Sequence, residues 1–191
     1  MYFKDWKRDI LTIPNLLSIF RISLIPVYIR LYLNAREPAQ YYTAGAVLAV
    51  SCLTDAMDGK IARHYNMIST LGIILDPAAD KITQFALTLC LSLRYPVLNP
   101  VLVLFILKEL IQLTLGAVNL SRGKMLPGAL ITGKICTTVL FVSLTGLVLF
   151  PNISNTVVRF IAVADASFLL ISFISYLSAY LGSHPKTQNL E

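Results

Sequence analysis

Apolar residues run almost without interruption through six stretches of the chain, at 11–33, 41–59, 68–93, 97–120, 128–150 and 155–181. Each is near or above the roughly 20 residues that a helix needs to cross a bilayer. The pattern predicts an all-α, polytopic membrane protein with six transmembrane helices. The second and third stretches are less pure than the others because their adjoining ends carry Asp55, Asp58, Asp76 and Asp80. No long polar linker, repeat or low-complexity tract interrupts the series, so residues 1–191 read as one domain: a six-helix bundle over 11–181 and a tail at 182–191, preceded by the segment 1–10. In that segment Tyr2, Phe3, Trp6 and Ile10 can share one face while Lys4, Lys7 and Arg8 point elsewhere, as in a short interfacial helix. It has no signal-peptide cleavage pattern.

Composition agrees, since 56% of the 191 residues are hydrophobic and only 14% are charged, which is too apolar for an ordinary soluble fold. Cys52, Cys90 and Cys136 all fall inside apolar stretches and read as small hydrophobes, not as a disulfide framework. The cations set the orientation. With the N-terminus in the cytoplasm, that side receives Lys4, Lys7, Arg8, Lys60, Arg63, Arg122, Lys124 and Lys186, and the other side only Arg36 and Arg94. The net charge of +6 is therefore topology and attraction to anionic membrane lipid, with no nucleic acid implied.

The candidate chemistry lies where the second and third stretches meet. Residues 55–80 fit D-x2-D-G-x2-A-R-x8-G-x3-D-x3-D, carried by Asp55, Asp58, Gly59, Ala62, Arg63, Gly72, Asp76 and Asp80. On helices, Asp55 and Asp58 share one face, and so do Asp76 and Asp80. Four ionised carboxylates drawn together repel one another unless a cation lies between them, and hard divalent ions with oxygen ligands are the usual answer. Gly59 lets a ligand approach the backbone, and Arg63 offers a planar fork to a phosphate. If Arg94 marks the outer end of the third helix, Asp80 lies about 21 Å away along the axis and about 9 Å inside the cytoplasmic boundary. A carboxylate at that depth must face a polar cavity. Pro77 removes one helical hydrogen bond and favours a kink beside it.

This pattern resembles the signature of the CDP-alcohol phosphatidyltransferases. The stretch P-N-L-L-S-I-F-R, with Asn15, Ser18 and Arg21 recurring every three residues, is similar to that family's N-terminal P-N-x-x-[ST]-x-x-R. The resemblance implies transfer of a phosphatidyl group from a CDP-linked lipid to an alcohol with release of CMP. It further implies two ions, Mg2+ or Mn2+, on Asp55, Asp58, Asp76 and Asp80, with Asp80 also the candidate general base. Asp55, Gly59, Ala62, Arg63 and Gly72 would hold the CDP-lipid. Asn15 and Arg21 would support the site by meeting the carboxylates or the substrate phosphates; alternatively, Arg21 satisfies a buried acid. A homodimer in a bacterial cytoplasmic membrane, its site facing the cytoplasm, is the expected setting.

Lys108-Glu109 and Gly133-Lys134 resemble an Arg-Glu pair and a Gly-Lys pair of phosphatidylglycerophosphate synthases, although Lys stands for Arg at 108 and Gly116 stands where a Leu-Arg often follows. That makes CDP-diacylglycerol and glycerol 3-phosphate the expected substrates, with Lys108, Arg122 and Lys134 around the acceptor phosphate. A cardiolipin synthase using phosphatidylglycerol is the alternative. Asp165 reads as a structural group, hydrogen-bonded or ion-paired within the bundle, and His64 and His184 as solvated. A cation transporter would also place carboxylates in a membrane, but it has no use for Gly59, Ala62 and Arg63 at these spacings. A scaffold without activity has no use for Asp80.

Overall fold

The structure, a computed structural model, describes residues 13–64, 70–121 and 130–181; side chains are described for these except at 13–14, 56–64, 70–71, 73–74, 120 and 181. The proposed interfacial helix, Arg122 and the tail lie outside them. The described residues form six α-helices: α1 Ile13–Asn34, α2 Pro38–His64, α3 Thr70–Arg94, α4 Asn99–Ser121, α5 Ile131–Leu149 and α6 Asn155–Leu181, with a 3-10 turn at Pro96–Leu98 ahead of α4. None of the described residues is in a strand. Pro38 opens α2, where a missing N–H costs nothing. The Ser154 hydroxyl accepts from the Val157 N–H at 3.4 Å ahead of α6. α2 continues past the apolar stretch to His64, because Lys60, Ala62 and Arg63 are good helix formers. α3 runs unbroken through Pro77.

Four segments are long and apolar enough to cross a membrane: Asn15–Asn34, Pro96–Asn119, Ile131–Leu149 and Asn155–Tyr180. α2 and α3, at 27 and 25 residues, have the length. Their apolar character is diluted by the motif itself, which brings Asp55, Asp58, Lys60 and Arg63 to one and Asp76, Asp80 and Lys81 to the other. Large apolar side chains face outward in number, among them Leu113, Phe160 and Val163. Such a surface suits a lipid solvent and not water.

The chain divides into two compact units, 1–94 with 144–153, and 95–143 with 154–191. In the first, α1 packs on both α2 and α3 and buries Tyr28, Tyr32, Ala44, Leu48, Leu87 and Leu91. Tyr32 meets Tyr28 at 5.7 Å and, edge-on, Tyr41 at 5.3 Å between ring centroids. Arg94 lies 4.0 Å over the Tyr41 ring and donates to the Pro151 carbonyl at 2.8 Å, tying the end of α3 to the turn after α5. In the second unit α4 packs on α6 around Val101, Phe105, Ala162 and Leu169. Here Asp165, buried in α6, accepts at both oxygens from the Ser143 hydroxyl at 2.8 Å, so it has the hydrogen bond expected of it. Cys52, Cys90 and Cys136 are free thiols, the last two buried, as their apolar surroundings predict.

Candidate active site

In the first unit α1 presents three polar side chains on one face, because Asn15, Ser18 and Arg21 recur at helical spacing. All three are buried, at 0%, 0% and 2% exposure. A polar stripe of that kind is tolerable only against partners, and α2 and α3 provide them for Ser18 and Arg21. Arg21 donates from Nη1 to Oδ1 of Asp55 and to Oδ1 of Asp80, the second at 2.5 Å. Ser18 donates from its hydroxyl to Oδ1 of Asp76. Three motif carboxylates from two helices thus converge on α1.

Exposure distinguishes the partners. The Arg21 side chain is 3% exposed, while Asp55 and Asp80 are 48% and 52% exposed. The guanidinium lies underneath and the carboxylates remain open to solvent. Among the described residues, Asp55 Oδ2, Asp76 Oδ2 and Asp80 Oδ2 accept no hydrogen bond. Gly72 is buried in the turn of α3 that precedes Asp76. Asp58, Gly59, Ala62 and Arg63 follow Asp55 in the last turns of α2, with side chains outside the described set.

Among the described residues no three His, Cys, Asp or Glu side chains close into a metal-holding group. Asp58 lies outside the described side chains, and Arg21 contacts both Asp55 and Asp80. In kind, the donors fit a hard divalent ion, being partly exposed anionic oxygens from two helices that both pack on α1.

The second unit holds the other expected cations. Lys108 is 4% exposed and donates from Nζ to Oε1 of its neighbour Glu109 at 2.7 Å. Its Nζ also lies 5.7 Å from the Tyr176 ring centroid, within cation–π reach. Tyr176 packs on Gly133 so closely that a Cβ there would stand 2.6 Å from the phenol oxygen. One α6 side chain therefore joins the Lys108-Glu109 and Gly133-Lys134 pairs. Lys108, Gln112, Leu115, Phe173, Tyr176 and Tyr180 line a shallow open cleft. Lys134 is exposed in the first turn of α5.

Tyr176, Tyr180 and the Ser18 contact escaped the sequence reading. Tyr176 and Tyr180 sit at i, i+4 with rings 6.3 Å apart, a spacing that an apolar run conceals.

Comparison with known proteins decides what this arrangement belongs to. The model of the CDP-alcohol phosphatidyltransferase family matches residues 11–175. The chain belongs to that family. The CDP-diacylglycerol–glycerol-3-phosphate 3-phosphatidyltransferase of Aquifex aeolicus is 32% identical over 173 residues, covering 87% of this chain and 94% of that protein. A probable phosphatidylglycerophosphate synthase of Mycobacterium tuberculosis is 30% identical over 176 residues, covering 90% and 83%. The cardiolipin synthase (CMP-forming) of Streptomyces coelicolor is 45% identical, but over 75 residues only, 38% of this phosphatidyltransferase and 35% of its own length.

Proposed function

We propose that this phosphatidyltransferase moves the phosphatidyl group of CDP-diacylglycerol to glycerol 3-phosphate, forming phosphatidylglycerophosphate and releasing CMP. The observation that supports it most is the convergence of Asp55, Asp76 and Asp80, in the family signature, on the buried Ser18 and Arg21. Relatives named for this reaction match most of the chain, whereas the cardiolipin synthase match covers 38% of it.

Asp55, Asp58, Asp76 and Asp80 would hold two divalent ions, Mg2+ or Mn2+. When bound, such ions neutralise charge on the pyrophosphate and on the departing CMP. Asp55, Gly59, Ala62, Arg63 and Gly72 bind the CDP-lipid, Arg63 through charge-assisted hydrogen bonds to phosphate. Asp80 takes the proton of the acceptor hydroxyl. The hydroxyl oxygen forms a bond to the lipid phosphorus as the bond from that phosphorus to CMP breaks. Lys108, Arg122 and Lys134 receive the acceptor's own phosphate.

All six helices cross the bilayer, α2 and α3 bringing their polar ends to the cytoplasmic side, where the count of Lys and Arg supports both termini as well. The unit of function is a homodimer. Purified protein given CDP-diacylglycerol, Mg2+ and a panel of labelled alcohols is the test. Phosphatidylglycerophosphate from glycerol 3-phosphate is the expected product. Cardiolipin from phosphatidylglycerol, with no product from glycerol 3-phosphate, would replace the acceptor but leave the phosphatidyl transfer standing.

A further inference from the structure

A buried arginine beneath acids intended for a metal ion needs an explanation, because its positive charge opposes the ion. Arg21 is 3% exposed and bridges Oδ1 of Asp55 on α2 to Oδ1 of Asp80 on α3. Ser18, one turn earlier on α1, holds Asp76 without adding charge. The arginine therefore lies within the carboxylate group, below oxygens that are about half open.

Carboxylates assembled without a cation repel one another and would spread or take up protons. A single guanidinium nitrogen, Nη1, spans two of them at once through its two N–H groups. By stabilising the ion-free arrangement it also lowers the affinity of whatever must bind the same groups, since affinity is measured against the ion-free state. We infer that Arg21 is the resident counter-cation of the site: it keeps Asp55 and Asp80 assembled when no divalent ion is bound and thereby weakens uptake of the ion. This rests on the two-metal reading above. Its consequence is a site that fills readily only when the pyrophosphate of the CDP-lipid adds negative charge.

The experiment uses the full chain in detergent, with Mn2+ binding followed by electron paramagnetic resonance and thermal unfolding followed in excess chelator. Arg21→Gln should bind Mn2+ about tenfold more tightly than the unsubstituted protein, because a fixed positive charge has left the cluster. In chelator its melting temperature should fall, and saturating Mn2+ should restore most of the difference. Arg21→Lys retains the charge but on a shorter side chain that holds the two carboxylates less closely, so its Mn2+ affinity should rise by about threefold.

An ordinary structural ion pair predicts otherwise: lower stability in chelator and Mn2+ alike, with ion affinity unchanged or reduced. That result in either folded variant overturns the inference while the metal site survives. If the unsubstituted protein binds no Mn2+ even with CDP-diacylglycerol present, the two-metal reading fails and this inference with it.

Discussion

In the unit built on α1, α2 and α3 the cation is buried and the anions are half exposed, whereas in the unit built on α4, α6 and the start of α5 both members of the pair are shielded. Arg21 and its carboxylates come from three helices and meet across 34 and 59 residues of chain. Lys108 and Glu109 are consecutive residues on one helix, at 4% and 17% side-chain exposure. The first arrangement presents carboxylate oxygens to whatever arrives and holds them from behind. The second pairs its lysine internally and roofs it with an aromatic ring. Oxygens open at half exposure suit an incoming cation, while a lysine already paired with Glu109 must share its donors with any phosphate it receives.

Losing one of the open carboxylates should produce the largest effect. Asp76→Asn removes a proposed ligand held by a single hydroxyl, so turnover should fall by about 1000-fold or more, equivalent to several kcal/mol of transition-state stabilisation, with helicity and melting temperature retained. Near-normal product formation by this variant would remove the carboxylates from the chemistry.

Asp80 separates proton transfer from ion binding within the same cluster. Asp80→Asn should lower kcat by about 100-fold while the CDP-lipid binds nearly as before. Loss of lipid binding in equilibrium measurements would make Asp80 a ligand first.

In the other unit the substitution of interest is at the exposed lysine, because Lys108 is shielded. Lys134→Ala should raise the KM for glycerol 3-phosphate about tenfold, the loss of one charge-assisted hydrogen bond, with the KM for CDP-diacylglycerol little changed. Equal increases for both substrates would dissociate Lys134 from the acceptor.

The smallest effects belong to two glycines, and they test how rigidly each unit is packed. A methyl at Gly133 would meet the Tyr176 ring at 2.6–3.1 Å, and an aromatic ring cannot move aside easily. Gly133→Ala should cost about 1–3 kcal/mol in denaturant unfolding and disturb the Lys108 cleft. At Gly45 the nearest atom is the terminal Cδ2 of Leu149 at 2.7 Å, the tip of a flexible side chain. Gly45→Ala should cost less than about 1 kcal/mol, since a rotamer change relieves the contact. The reverse order would show that Tyr176 is loosely held.

Much of this was legible along the chain because lipid imposes a severe rule: a spanning helix needs about 20 predominantly apolar residues. Hence the six stretches coincide with α1 to α6, and the largest discrepancy is at α2, where polar helix-forming residues extend the element to His64. α2 and α3 fall outside the four segments apolar enough to cross a membrane, since a helix that carries the site is the one whose apolar pattern is broken. The motif was legible because Asp55, Asp58, Asp76 and Asp80 are close in sequence and regular in spacing.

What the sequence determined by itself is everything set by helical period and by the solvent: the helices, the carboxylate register and the polar face of α1. Which carboxylates Arg21 would take, that Ser18 would hold Asp76, and that Tyr176 would stand between Lys108 and Gly133 were decided only when helices packed. A period of 3.6 residues specifies which side chains share a face. It does not specify what lies opposite that face, because partners separated by tens of residues are chosen by the packing of whole helices.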